Sequence, residues 1–218
     1  MTTFALVGAS DFNAAHFEAR CRGGAFDAVI AVDGGFSSLE TIGVRPDLAL
    51  GDFDSLGFVP SGVEVRAFPP EKDASDMELA LEEAVRRGAS AVTVYGALGR
   101  RLDHTLANLQ LFASFAERGL AVSTVGEEAC VEFLVGPGEL SLDGVAGGIV
   151  SVFSLTDESR GVTEEGLKWE LDAVTMTSRT SWGLSNELTG RPARIAVESG
   201  TLAVFCPLES AVARGEGL

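Results

Sequence analysis

The sequence predicts an α/β N-terminal domain with a mainly parallel sheet, residues 1–126, followed by an all-β sandwich domain, residues 127–218. Three observations predict it. Strand-like and helix-like patterns alternate through the first 125 residues or so, as in a parallel sheet faced with helices. Runs such as Ala28-Val29-Ile30-Ala31-Val32 are apolar throughout, as expected for a strand covered on both faces. From Gly126 onward the chain breaks into short alternating segments separated by Gly, Pro, Asp and Asn, with no helix pattern of useful length.

Taken in order, residues 4–8 form a first short apolar run. Residues 14–22 read as a helix stopped by Gly23-Gly24. The strand at 28–32 ends in Asp33-Gly34-Gly35. A short helix at 37–42 stops at Gly43, and Leu48-Ala49-Leu50 is a further buried strand. Residues 63–68 alternate and meet Pro69-Pro70. Ser75 and Glu78 make a capping-box pair for the next helix. Its apolar stripe is Met77, Leu81, Ala84 and Val85. A strand at 91–95 leads to a helix that begins near Asp103, with Leu102, Leu106, Leu109 and Ala113 on one face; residues 121–125 are the last strand of the series. In the second domain, 131–135, 138–142, 149–155, 194–197 and 201–205 read as strands, and Glu198-Ser199-Gly200 as a hairpin turn between the last two.

The 218 residues carry a formal net charge of −16, which repels nucleic acid and anionic membrane surfaces. No apolar stretch approaches the ~20 residues of a membrane span. Cys21, Cys130 and Cys206 are odd in number and lack ligand spacing, so they read as free thiols in a reducing compartment. The N-terminal residues read as a first strand and not as a signal peptide, giving a cytoplasmic expectation.

Four acidic clusters sit where strands end or helices begin, the binding edge of a parallel sheet. Asp33-Gly34-Gly35 presents an acid ahead of two residues that leave room for a ligand, although an Asp-Gly turn has the same look. In an extended segment Asp52 and Asp54 would point the same way, roughly 6.5 Å apart. Their repulsion of about 3 kcal/mol at an effective dielectric near 20 favours a hard cation between them, such as Mg²⁺ or Ca²⁺. The alternative is a solvated acidic turn. Asp73, Ser75 and Asp76 crowd one helix N-terminus beside Lys72, a candidate phosphate contact, although capping explains part of this. Finally Gly96 to Asp103 joins a strand to a helix through glycines and two arginines, with His104 and Asn108 one turn apart on one face. The Gly-x-x-x-x-Gly-Lys-Ser/Thr loop is absent, and Gly8 alone makes no dinucleotide fingerprint.

Together and in order, these clusters resemble the thiamine pyrophosphokinase family. The matching pieces are Asp33-Gly34-Gly35, Pro46-Asp47 leading into Gly51-Asp52-Phe53-Asp54-Ser55, Lys72-Asp73-Ala74-Ser75-Asp76-Met77-Glu78, and residues 99–108. Gly166-Leu167-Lys168-Trp169 and Gly183-Leu184-Ser185-Asn186-Glu187 add two more in the β-rich half. The resemblance implies transfer of the pyrophosphoryl group of ATP to the hydroxyl of thiamine, with Mg²⁺, in a homodimer whose active sites lie at the subunit interface. It implies Asp52, Asp54 and Asp103 as metal ligands and catalytic residues, with Asp76 beside them. Asp33 would line the site, and Lys72, Arg101, His104 and Asn108 would hold ATP. Trp169 would stack on a thiamine ring, with Ser185 and Asn186 hydrogen-bonding it; Trp182 reads as a core residue. Asp76 or Asp33 would accept the hydroxyl proton. Family members commonly have Gly-Gly-Arg where this chain has Gly99-Arg100-Arg101, which puts a Cβ into the turn. The alternatives are a pyrophosphokinase for another heterocyclic alcohol, such as a pterin, and a nucleotide-binding module without turnover.

Overall fold

The computed structural model describes residues 1–99 and 101–215; Arg100 lies outside the described residues. The chain divides into two compact units, Met1–Leu111 with Gly119–Glu127, and Phe112–Arg118 with Glu128–Leu218.

The first unit carries six strands: β1 (Thr3–Val7), β2 (Ala28–Val32), β3 (Leu48–Gly51), β4 (Glu64–Ala67), β5 (Ala91–Tyr95) and β6 (Ala121–Val125). Every neighbouring pair is parallel, in the order β4-β3-β2-β1-β5-β6. The chain therefore winds outward from β1 to β4, then returns to the other side of β1 with β5 and β6. Between β1 and β5 the winding reverses, and there the crevice at the strand ends is open to a ligand. β1, β2, β3 and β5 are largely buried, as their continuous apolar sequences require. Under helix α1 (Ala14–Arg22) the core is aromatic: the buried Phe17 ring meets Tyr95 edge-on at 5.2 Å and stacks on Phe26 at 5.9 Å.

Local chemistry sets the helix limits. The Asn13 side chain accepts from the His16 N–H and starts α1. Helix α2 (Gly35–Thr41) begins earlier than Ser37, and its first residue passes against β1: a Cβ on Gly35 would lie 1.8 Å from the Val7 carbonyl oxygen. Helix α3 (Asp76–Arg86) starts at Ser75, whose hydroxyl accepts from the Glu78 N–H at 3.2 Å. It buries Met77, Ala80, Leu81 and Ala84, whereas Val85 is 40% exposed and not part of the stripe. Glu83 is buried on the same helix because three guanidinium groups, of Arg66, Arg86 and Arg87, converge on it. Foremost among them, Arg86 helps lower its pKa to about 2.

Helix α4 (Leu102–Glu117) departs from the predicted stripe. Leu102 and Leu106 are 82% and 60% exposed, and the fully covered side chains are Phe112, Ala113, Phe115 and Ala116. Residues 112–118 group with the second unit, where Phe112 meets Phe133 edge-on at 5.8 Å and Glu117 accepts from the Thr201 hydroxyl at 2.6 Å.

The second unit is antiparallel throughout. One sheet runs β12 (Asn186–Glu187), β9 (Ile149–Ser154), β14 (Thr201–Pro207), β7 (Ala129–Val135). The other runs β11 (Leu171–Thr177), β10 (Glu158–Glu165), β13 (Ala193–Val197), β8 (Gly138–Asp143), β15 (Ala211–Arg214). Leu140, Leu142, Val150, Val152, Val162, Ile195 and Leu202 are among its fully buried side chains. The turn at Glu198-Ser199-Gly200 does not close a hairpin. β13 and β14 belong to different sheets, and the turn is tied instead to Arg160 by N–H···O=C bonds from Glu198 and Ser199. The sequence does not predict β10 or β11; in β10, Glu158-Ser159-Arg160-Gly161 and Thr163-Glu164-Glu165 are polar and hide the alternation. Cys130 and Cys206 are directly opposite on β7 and β14, with Sγ atoms 3.1 Å apart as free thiols. Trp182 is 58% exposed, not a core residue.

Candidate active site at the switch point of the parallel sheet

The crevice between β1 and β5 is a cleft of about 610 Å³, within the first unit. Its floor is a close approach of two backbone turns. Gly8 N–H donates to the Tyr95 carbonyl at 2.8 Å and Ser10 N–H to the Gly96 carbonyl at 2.9 Å. Gly96 has φ of 61°, and a Cβ on it would lie 2.3 Å from the Gly8 carbonyl oxygen, so only glycine fits. Residues 8–10 thus line the cleft; Gly8 alone carries no motif, and Ala9 and Ser10 are not predicted from the sequence. The signal was a run of small residues directly after the first strand.

Three carboxylates meet at one side. Oxygens of Asp33, Asp52 and Asp76 lie within 4.8 Å of one another. Asp33 follows β2 in a left-handed conformation, φ 47°, which Asp tolerates better than most residues. Its Oδ2 accepts from the Ser55 hydroxyl at 2.8 Å. Asp52 leaves β3, and Asp76 opens α3. Lys72 ties the group together. Its Nζ donates to Asp52 Oδ2 at 2.7 Å and to the Pro69 carbonyl at 3.2 Å, and pairs with Asp76 Oδ1 at 3.2 Å, a charge contact outside hydrogen-bond geometry.

The electrostatics follow from these contacts. The Lys72 hydrogen bond holds the Asp52 carboxyl below its ordinary value. Burial pushes Asp76 up, only partly offset by Lys72 and reinforced by Asp52 and Asp33. Burial works against the Lys72 charge, but the hydrogen bond to Asp52 and the close negative charges of Asp52 and Asp76 outweigh it and raise its pKa. With all ionised, three carboxylates and one ammonium leave a formal charge of −2. Asp33 Oδ1 and Asp76 Oδ1 are buried without a hydrogen-bond partner. Buried, hard oxygen donors short of hydrogen bonds and carrying that charge fit a divalent cation such as Mg²⁺.

Asp54 and Asp103 stand apart from this group. Phe53 adopts φ of 61°, and the Asp54 N–H turns back onto Asp52 Oδ1 at 3.2 Å. The segment is a turn and not extended, so the same-side geometry does not arise, and Asp54 is exposed. Asp103 is spent on Arg101, whose guanidinium pairs with it at 2.6 Å and lowers its pKa to about 2, both side chains being largely exposed. Arg101, His104 and Asn108 line the cleft, with Asn108 donating to the Ala97 carbonyl at 2.8 Å to brace the turn after β5.

The remaining predicted residues lie in the second unit. The Trp169 ring is 54% exposed with the Lys168 ammonium 4.5 Å from its centroid. Ser185 has φ of 61°, and its N–H donates to the Ser151 hydroxyl at 3.0 Å. Asn186 is buried, its side chain bonded to Trp169, Glu187 and Glu164.

A doubly wound sheet with an acidic, lysine-bridged cleft at its switch point, together with an antiparallel β-unit, defines a two-unit α/β protein with a ligand cleft at the strand ends of its parallel sheet. Residues 25–124 match the family model described as thiamin pyrophosphokinase, catalytic domain, and residues 139–202 match the thiamin pyrophosphokinase, vitamin B1 binding domain. The chain belongs to the thiamin pyrophosphokinase family. It is 26% identical over 166 residues to a thiamine pyrophosphokinase of Bacillus subtilis (strain 168), covering 73% of this chain and 77% of that protein. A crystal structure of a thiamin pyrophosphokinase family protein from Enterococcus faecalis superposes with a TM-score of 0.80 at 26% identity, over 95% of this chain and 99% of that one. The fold is also shared with thiamin pyrophosphokinase from Candida albicans, at a TM-score of 0.78 and 14% identity, over 94% of this chain and 88% of that one.

Proposed function

We propose that this chain transfers the pyrophosphoryl group of ATP to the hydroxyl of thiamine, giving thiamine diphosphate and AMP, with the reacting phosphates held in the cleft between β1 and β5. The observation that carries the chemistry is the convergence of Asp33, Asp52 and Asp76, with the buried Asp33 Oδ1 lacking a hydrogen-bond partner and Asp76 Oδ1 held only by its charge contact with Lys72. Those three aspartates would hold Mg²⁺, replacing the set of Asp52, Asp54 and Asp103. When bound, the ion neutralises charge on the phosphate oxygens, which is most of what such a transfer requires.

The chain's own groups do the rest. Arg101, His104 and Asn108 line the side of the cleft where the nucleotide phosphates lie, and the exposed Arg101 is free to swing from Asp103 to a phosphate. Lys72 orients Asp52 and Asp76 and adds a positive charge beside the triphosphate. The hydroxyl proton passes to a carboxyl of the cluster. Asp76 is the proposed acceptor, since burial raises its pKa. Thiamine is cationic and aromatic, and the exposed Trp169 ring supports its assignment as the stacking partner.

The active form is a homodimer in this reading. Exposed Leu102 and Leu106, four residues apart on α4, support it as apolar surface that a second copy would cover. The chain works in the cytoplasm, a reading supported by free thiols and by described helices none of which is long and apolar enough to cross a membrane. The test is incubation with ATP, Mg²⁺ and thiamine. AMP and thiamine diphosphate should form in equal amounts, with none when thiamine is omitted or replaced by a pterin alcohol. AMP release with the pterin but not with thiamine would reverse the substrate assignment.

A further inference from the structure

The second unit buries a carboxyl group that the chemistry above does not use. Glu164, on β10, has no solvent exposure. Burial pushes its pKa up, partly offset by a hydrogen bond from Asn186. Its Oε2 accepts from Asn186 Nδ2 at 2.8 Å, and its Oε1 has no partner. A buried carboxyl with one unsatisfied oxygen costs stability that an apolar residue at the same place would not.

Asn186 shows what the group is there for. Its second Nδ2 hydrogen goes to the Trp169 carbonyl at 2.6 Å. Its Oδ1 accepts from the backbone N–H of Trp169 at 3.1 Å and of Glu187 at 2.9 Å. An asparagine side chain offers two donors and two acceptor positions. All four are taken inside the protein, so Asn186 has none left for thiamine. It holds instead both backbone polar groups of Trp169, while the indole ring stays largely exposed. Around it the 166–170 turn is knitted to β12 by Lys168 N–H to the Glu187 carbonyl, 3.0 Å, and by the Lys168–Glu187 ion pair, 2.9 Å.

The geometry points to Glu164 and Asn186 as positioning residues that form a buried clamp on the Trp169 backbone and present its ring as a preformed stacking face for the aromatic rings of the substrate. This rests on the assignment of Trp169 to thiamine made above. Glu164 accepts the one Asn186 hydrogen that Trp169 does not, and so holds the amide in the orientation that gives Trp169 both an acceptor and a donor. Without it that hydrogen is buried and unpaired, and the amide turns in search of a partner. A ring fixed in advance loses less freedom when a ligand stacks on it, which appears as affinity.

Two measurements test this. In the unmodified protein, amide hydrogen exchange at Trp169 and Glu187 should be at least ~100-fold slower than in an unstructured chain. Exchange at the unstructured rate would overturn the clamp whether or not the protein is active. In a Trp182→Phe background, where emission reports Trp169 alone, Glu164→Ala should shift that emission and raise the thiamine KM about 10-fold, with kcat and the ATP KM within about two-fold. Glu164→Gln retains an acceptor oxygen and should restore both to within about two-fold. An unchanged thiamine KM in folded Glu164→Ala, or equal losses for thiamine and ATP, would overturn the positioning role. Failure of the unmodified protein to release AMP with thiamine would overturn the substrate assignment and leave the exchange result standing.

Discussion

At the scale of single residues, Phe53 decides the fate of the two aspartates beside it. Its φ of 61° turns Asp52 into the cluster with Asp33 and Asp76 and leaves Asp54 exposed. Asp52→Asn should therefore cut the rate of AMP formation at least ~100-fold with the fold intact by circular dichroism. Asp54→Asn should cost less than ~10-fold. Equal losses would return Asp54 to the metal. That acids gather at strand ends could be read from sequence, because strand periodicity and the first residue after each strand are local properties. Which acids meet could not, because it hangs on the left-handed Asp33 and Phe53 and on Lys72 reaching back to both Asp52 and Asp76. In the same way Asn186 was legible as part of a motif but not as a clamp, since Glu164 is 22 residues away in sequence.

At the scale of elements, close backbone approach and buried charge hold the site in place. The turn after β5 crosses the turn after β1 at Gly96, and Gly96→Ala combines a left-handed φ with a collision against the Gly8 carbonyl. It should destabilise the protein by about 2 kcal/mol or more by denaturant melt and weaken ATP binding, because both turns line the cleft. Helix α3 is anchored to β4 through Glu83 and its three arginines. With a folded pKa of about 2 against an ordinary 4.5, the Glu83 carboxylate contributes stability that is present above pH ~4.5 and is lost as pH falls toward 2. The full shift corresponds to about 3 kcal/mol, which solvent around the half-exposed Arg66 and Arg86 reduces. Glu83→Gln should lower the melting temperature at pH 7 and flatten its decline between pH 4.5 and 2; an unchanged acid profile would assign that decline to other carboxylates. β1, β2, β3 and β5 were legible because buried parallel strands are largely apolar, and the exposed β4 because its residues alternate. The first half of α4 misled, since Leu102 and Leu106 keep helical spacing while facing outward. β10 stayed hidden because its polar residues hide the alternation.

At the scale of the molecule, a chain of net charge −16 binds a polyphosphate only if cations reverse the sign locally. Lys72 and Arg101 line the cleft and supply part of this, and in the proposed reading a divalent ion held by Asp33, Asp52 and Asp76 would complete it. ATP alone should therefore bind weakly. Mg²⁺ and ATP together, at about 100 times the dissociation constant, should stabilise the fold by about 2.7 kcal/mol and raise the melting temperature by several degrees. An equal rise with ATP and a chelator would argue against a metal-bridged complex. The most direct test is a crystal grown with Mn²⁺ and a non-hydrolysable ATP analogue, read by anomalous scattering. A manganese peak within about 2.5 Å of oxygens from Asp33, Asp52 and Asp76 and of the analogue's phosphates is the expected result. A peak held by Asp54 or Asp103 and away from Asp33 and Asp76, or phosphates bound with no metal at the cluster, would contradict it.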